Sequence, residues 1–288
     1  MFLLNSSWGA TDTWTGSSNN NYNAAANWSN GTVPNHADFA LFTGTAGNDF
    51  SVTLSADKIL DSLIFDSTAL EAYDFSGSGS IEFDRSTTNY GLSLSARDQS
   101  FGLPILLGNG NVDFNIEEFR TLTLTEAFGK DGGSNRGLDF LGNGSIYLSK
   151  VSTFDGDADF NKGALIMGID NAINSSQSSI DFNNATLDLN GYDTNATALN
   201  ISGDGLYDSG VIVNKGSSTS TVSPNLILDW DAEIGGDGDI IFEGDISTRN
   251  NNSGRELDII RGGTFTFKGT NNNDNTGSSN AQTIGHAR

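Results

Sequence analysis

The 288-residue chain has no cysteine, three prolines, two histidines and only 14 basic residues against 36 acidic ones. Without cysteine there is no disulfide scaffold, thiolate metal site or cysteine nucleophile, and the absence suits an exported chain that avoids thiols where they would oxidise. The shortage of lysine and arginine leaves a net charge of −22 and no basic cluster. Such a field repels phosphate backbones and anionic lipid, so nucleic acid is not an expected partner. No apolar run approaches the roughly 18 residues of a membrane-spanning helix, and no direct membrane insertion is expected of this segment. His36 and His286 stand 250 residues apart. No Gly-x-Ser-x-Gly elbow, phosphate-binding Gly-Lys-Ser/Thr loop or dinucleotide Gly-x-Gly-x-x-Gly is present.

What the chain has in plenty is turn chemistry. Glycine numbers 35 and asparagine 33, while Leu, Ile, Val and Phe together reach 70, enough for a core but a thin one. The apolar residues recur with period two. Ile81/Phe83, Leu92/Leu94, Val112/Phe114, Leu122/Leu124, Ile146/Leu148, Ile180/Phe182, Leu187/Leu189 and Phe265/Phe267 each place two apolar side chains on one face of a short strand. Residues 56–65 also fit helical spacing, but their β-branched and aromatic neighbours favour extended structure, and no helix is predicted.

Aligning the turns exposes a repeat. Gly-x-Gly followed by an apolar-x-apolar strand begins at Gly77, Gly108, Gly142 and Gly236, with a degenerate copy at Gly203 whose strand is delayed to Val211. The steps are 31, 34, 61 and 33 residues, read here as a coil of about 33 residues with one turn lost near residue 170. A period of this size implies an array in which each coil buries its inner face on the next. A sandwich or meander barrel would instead want two-residue hairpins at every 8 to 12 residues. The expected fold is therefore all-β, a parallel, right-handed β-helix or β-solenoid with an N-terminal cap. Glycine supplies positive φ at the corners, and asparagine is expected to hydrogen-bond to its counterpart in the next coil. Residues 1–10 read as the remnant of a secretion signal, 11–75 as the cap and first strands, 76–270 as solenoid repeats and 271–288 as the truncated start of a further coil. Residues 214–224, 249–255 and 271–280 read as loops thrown off one side.

Two segments carry a family resemblance. Gly163-Ala-Leu-Ile-Met-Gly-Ile-Asp-Asn-Ala172 followed by Ala185-Thr-Leu-Asp-Leu-Asn-Gly-Tyr192, and Ala232 to Asp239 running into Gly262-Gly-Thr-Phe-Thr-Phe-Lys-Gly-Thr-Asn271, resemble the coils of bacterial autotransporter passengers built of autotransporter-associated β-strand repeats. The opening, with Trp14-Thr-Gly16, Asn27-Trp-Ser-Asn-Gly31, Val33-Pro34, Asp38 and Phe42, is similar to the start of such passengers. The resemblance implies a secreted, outer-membrane-associated surface protein acting in display and adhesion. It also implies a host-surface or glycan ligand, further repeats and a C-terminal anchor beyond this chain, and no enzymatic activity.

Three constellations could carry chemistry. Alternate residues on a strand share a face at roughly 6.6 Å, which brings Asp155/Asp157, Asp157/Asp159, Asp229/Asp231 and Asp237/Asp239 near the separation of an inverting glycosidase pair. No Arg, Lys or His accompanies them as a lyase would require, so a carbohydrate-active β-helix enzyme is the alternative reading and no catalytic residue is assigned. Calcium is the other use of clustered acids. Asp155, Asp157 and Asp159 match the first ligand positions of an EF-hand loop, but Phe160 replaces its glycine and Ile166 its bidentate glutamate. The glycine-rich calcium nonapeptide fails likewise at Ile240. Trp8, Trp14, Trp28 and Trp230 could stack on sugar rings, with Trp14 and Trp28 the candidates in the opening segment; the alternative for these two is packing over the first coil to close its open edge.

Overall fold

The computed structural model describes residues 9–270 apart from 37, 45–49, 70, 85–89, 109, 134–135, 174–179, 250–253 and 261. The remnant signal read over 1–10, but for its last two residues, and the further coil read over 271–288 lie outside the described residues. So do Trp8 and His286.

The chain is an all-β, parallel β-solenoid of about nine turns. Every pairing between named strands is parallel, and the helical elements with described bounds are single 3-10 turns at Ala25–Asn27 and Leu206–Asp208. One turn shows the plan. Asn111–Ile116 forms the first side, Thr121–Leu124 the second and Phe128–Lys130 the third, after which Gly137–Phe140 returns beside the first. Stacking on the first side begins at Thr11–Thr13 and runs without a break to Ile246–Thr248. Residues 56–65 are extended, as Lys58–Leu60 and Ser62–Phe65.

Alternation does the sorting. In Thr121–Leu124 and Ser145–Leu148 the leucines and isoleucine face inward and are buried, while Thr121, Thr123, Ser145 and Tyr147 face out. Register then sets like on like. Phe42 packs on Phe65 at 5.2 Å, Phe140 on Phe160 at 5.8 Å and Phe160 on Phe182 at 4.8 Å between ring centroids, giving the narrow core an aromatic spine along its axis.

The turn is shorter than the 33 residues read from the glycines. Between named strands, Leu63 lies opposite Leu92, 29 residues on, at the long extreme, and Phe182 opposite Ile201, 19 residues on, at the short one; the isolated bridge Asn21–Thr53 in the first turn spans 32. The Gly-x-Gly motif marks a corner rather than a coil. Gly77 turns the second side into the third, Gly108 the third into the first, Gly142 and Gly203 the first into the second, and Gly236 again the second into the third. Steps of 31 to 34 residues are thus one turn and one further corner, and the step of 61 is three whole turns with none lost. Among the described residues between Phe128–Lys130 and Ser220–Val222, the third side is represented only by isolated bridges at Thr153 and Thr194.

Two local expectations are corrected. Residues 214–224 are not a loop, since Ser220–Val222 is a third-side strand paired with Ile240–Phe242. Nor do the described asparagines bond to their counterparts. Asn190 donates to the Met167 carbonyl at 3.0 Å, and buried Asn214 donates to those of Ser218 and Asp239 at 2.8 and 2.9 Å, serving backbone groups that the corners leave unpaired.

Candidate functional site

The corners between the first and second sides vary in length. Only residues 184 and 185 separate Ile180–Asn183 from Thr186–Asp188, whereas eight residues, 204–211, separate Ala198–Gly203 from Ile212–Asn214, as many as lie between Ser62–Phe65 and Asp74–Gly77. Gly205, Tyr207, Asp208 and Gly210 all adopt positive φ there, and the loop is stapled to the preceding turn through Thr186, whose hydroxyl donates to the Gly210 carbonyl and accepts the Leu206 amide, both at 2.8 Å. The loop reaches back along the solenoid to the corner of the turn at Asn111–Ile116, where Phe119 also has positive φ, at 61°.

Phe119 and Tyr207 meet there. Their rings stack with centroids 5.9 Å apart and planes 12° from parallel, and the Tyr207 hydroxyl donates to Glu118 Oε1 at 2.9 Å. Loss of hydration and the bond to Glu118 both raise the phenol's pKa. The two residues precede strands four steps apart on the second side, roughly 19 Å at the usual strand spacing, so the pair forms an arch across the intervening turns. Beside it lies a cleft of about 540 Å3. Its floor is an in-register row in which Thr121, Ser145, Ala164 and Thr186 follow one another, flanked by Asn143 and Ile166. Arg120 and Lys215 stand at its walls. Lys215 lies 3.9 Å from Asp188, whose carboxyl is raised by burial against the opposing effect of the Lys215 and Asn190 amides and the Lys215 charge. Phe119 and Tyr207 remain 77% and 55% exposed, so neither supports the core.

A second constellation lies on the first side. Asp113, Asp139, Asp159 and Asp181 occupy one outward position on four successive strands, and Asn200 continues the row. The Asp159 carboxyl is pushed up to about 7 by loss of hydration, by its hydrogen bond with Asp181 and by the charges of Asp181, Asp139 and Asp157. Asn200 Nδ2 donates to Asp181 Oδ1, and Arg249 bridges Asp181 at 3.3 Å and Asp229 at 2.5 Å. Trp230, 70% exposed beneath the Arg255 guanidinium at 5.1 Å, borders the same small pocket of about 280 Å3.

The residues singled out in the sequence are placed differently. Trp14 and Trp28 are buried, edge to face at 5.2 Å, with Trp14 on Phe42 at 5.9 Å and the Trp28 indole donating to the Tyr22 carbonyl at 2.8 Å. Neither offers a ring face to a sugar. Asp155 is held by Lys130 Nζ and the Arg136 amide, each at 3.0 Å, which depress its pKa. Asp157 is exposed and Asp159 turns to Asp181, and among the described residues no three acidic or imidazole side chains group as a metal ion would require. The carboxylates that share a hydrogen bond are one turn apart, Asp159 and Asp181, with the charge of Asp157 acting on Asp159 as well. Asp231 and Asp239 instead accept the Glu256 and Thr264 amides at 2.9 and 2.7 Å.

Sequence reasoning did not select Phe119, Tyr207, Asp181 or Arg249. The delayed strand at Val211 was the one visible signal, because it lengthens that corner to eight residues, where the preceding one has two, and leaves a loop with room to reach elsewhere. Compared with known proteins, the chain matches no family model, no curated protein and no solved structure.

Proposed function

We propose that the chain is a non-enzymatic segment of an exported β-solenoid, displayed at a bacterial outer-membrane surface, that acts in adhesion through the cleft under the Phe119–Tyr207 arch. The arch carries the reading: two exposed aromatic residues with no core role are held beside a walled cleft by corner backbone of positive φ. A rigid solenoid with function placed on a few long corners is the architecture of an extended binding surface. The autotransporter-like segments support it, since their two strands stack one turn apart, with Leu165 opposite Leu187. In the same reading Trp14, Tyr22 and Trp28 cap the first turn, and further repeats and an anchor follow this segment. The test is to fuse the chain to an outer-membrane anchor and measure adherence of the displaying cells to host cells and surfaces. Adherence that falls to background in the Phe119→Ala/Tyr207→Ala variant is expected, and displaying cells no more adherent than bare ones would reduce the chain to a spacer.

A second reading, a carbohydrate-active β-helix enzyme, is favoured by Asp159, a carboxyl protonated near neutrality, close to arginine-held Asp229 and exposed Trp230. Incubation with neutral and acidic polysaccharides decides it. Reducing ends or unsaturated products that vanish in Asp159→Asn would establish it, and no release would remove it.

A further inference from the structure

The cleft also indicates what it binds. We infer that it takes a linear glycan, laid along the solenoid axis with one pyranose ring against the Phe119–Tyr207 pair. The inference rests on the adhesive reading above and adds the ligand class.

The first argument is strain. Phe119, Tyr207 and Asp208 hold φ values of 61°, 56° and 53°, a region that bulky side chains rarely adopt and that costs on the order of 1–3 kcal/mol each. Nothing in the core requires it, because both rings are exposed. What the strain achieves is to set two aromatic faces parallel above a polar floor. The second argument is chemical fit. A pyranose presents an apolar face of C–H groups and a rim of hydroxyls, so it needs a flat aromatic surface and, beside it, short donors and acceptors. Thr121, Ser145 and Asn143 provide the latter. The third argument is the repeat. Thr121 and Ser145 are in-register neighbours on successive strands, so their hydroxyls recur at the strand spacing of roughly 4.8 Å. That is close to the advance of one sugar in an extended polysaccharide, so two successive rings of a chain lying along the axis each meet a hydroxyl, and the next ring lies over the methyl of Ala164.

A peptide fits less well. The second-side strands are paired on both flanks, leaving no edge for strand addition. The row beneath the pair is polar at Thr121, Ser145 and Thr186, and the aliphatic members of the lining, Ala164, Ile166 and Leu206, are interspersed with polar ones, which suits an amphipathic sugar ring better than a run of anchoring apolar side chains. Charge permits either of two glycan sources. On a chain of −22 the cleft gathers Arg120 and Lys215, the latter 3.9 Å from Asp188 in the same lining, so neutral sugars can enter and a carboxylated sugar finds its cationic partner chiefly in Arg120.

The test uses the purified 288-residue chain on an array of immobilised neutral, uronate-containing and sialylated glycans, with soluble hexasaccharides of the hits titrated by calorimetry. Binding to extended glycans is expected, lost by roughly tenfold or more in Phe119→Ala and in Tyr207→Ala, a loss of the size that removing an aromatic stacking contact produces. Tyr207→Phe, which keeps the ring and removes the bond to Glu118, should retain most of the affinity. Arg120→Ala separates the sources: it weakens acidic glycans and leaves neutral ones unchanged. Because both rings are exposed, the variants should melt with the parent, and a melting curve checks this. No binding anywhere on the array, or binding that survives both alanine substitutions, overturns the inference. If displayed cells still adhere in a Phe119- and Tyr207-dependent way while the array is blank, the adhesive reading stands and the glycan assignment falls.

Discussion

Asp159 sits where a parallel ladder sets like charge on like, with Asp139 and Asp181 directly opposite on either side. Such pairs destabilise a sheet unless a proton or a cation intervenes, and here Asp159 keeps its proton up to about pH 7. An unfolded aspartate releases it near 4. Between those values the folded chain binds a proton that the unfolded chain does not, so the contribution of this site is complete below about pH 4 and is lost as pH rises through about 7. The pair is partly exposed, which reduces the effect by solvent screening. Asp159→Asn should therefore raise the melting temperature at pH 8 by roughly 2–4 °C, the shift that about 1 kcal/mol produces in a large domain, and change it little at pH 4. An equal shift at both values would refute the shared proton. Asp131 and Asp155, whose carboxyls are lowered chiefly by hydrogen bonds from Arg136, act oppositely. Their contribution is present above the ordinary carboxylate range and is lost on acidification, so the two effects separate in pH. Glycines divide as cleanly. A Cβ on Gly142 would lie 2.0 Å from the Ile116 carbonyl oxygen of the turn below, whereas Gly110 has open space and a φ of 71°. Both alanine variants should lose about 1–3 kcal/mol. Asparagine, which tolerates left-handed backbone, should recover most of the loss at position 110 and none at position 142, as read by thermal melting.

At the scale of the element, each strand holds its place through the turns above and below it, so damage should stay local. Trp14 is fully buried against Tyr22, Trp28 and Phe42, with rings on one side from its own turn and on the other from the next. Trp14→Ala should cost about 3–5 kcal/mol there. Hydrogen exchange should then show lost protection over the first turn and its neighbour at Phe39–Phe42, with Ala158–Phe160 and later strands unchanged. Uniform loss along the chain would mean a single cooperative unit. The strands themselves were legible in the sequence. Ile81/Phe83, Leu122/Leu124 and Ile146/Leu148 alternate because one face is buried, and that constraint acts on neighbouring residues. The turn length was not legible, since three corners share one chemistry and a motif that marks corners cannot say which side follows. The site was hidden for a related reason. Phe119 and Tyr207 belong to corners four turns apart, and Asp159 meets Asp181 only once the length of the turn between them is known. Trp14 and Trp28 drew notice because tryptophan is scarce, yet an aromatic in a solenoid's first turn is as readily packing material as a ligand platform.

Over the whole molecule, the charge of −22 is spread on an elongated surface whose strands repeat at roughly 4.8 Å, so each outward acid has others within reach along its row. The 14 basic residues cannot neutralise them, and several are already committed to single partners, as Lys130 is to Asp155, Lys268 to Glu243 and Arg136 to Asp131. The remaining repulsion discourages lateral association of a long parallel sheet, but it also acts between successive turns of the same chain. The balance depends on ionic strength. At 1 M salt the screening length is about 3 Å, shorter than the step between turns, whereas at 0.01 M it is about 30 Å and spans several of them. Raising sodium chloride from 0.01 to 1 M at pH 8 should therefore raise the melting temperature. The rise should be smaller in Asp159→Asn, which removes one charge from the densest row, and smaller at pH 5, where that site is already protonated. A melting temperature that falls with salt would mean that the few ion pairs outweigh the repulsion. An equal rise in parent and variant would mean that the outward row carries no special share of it.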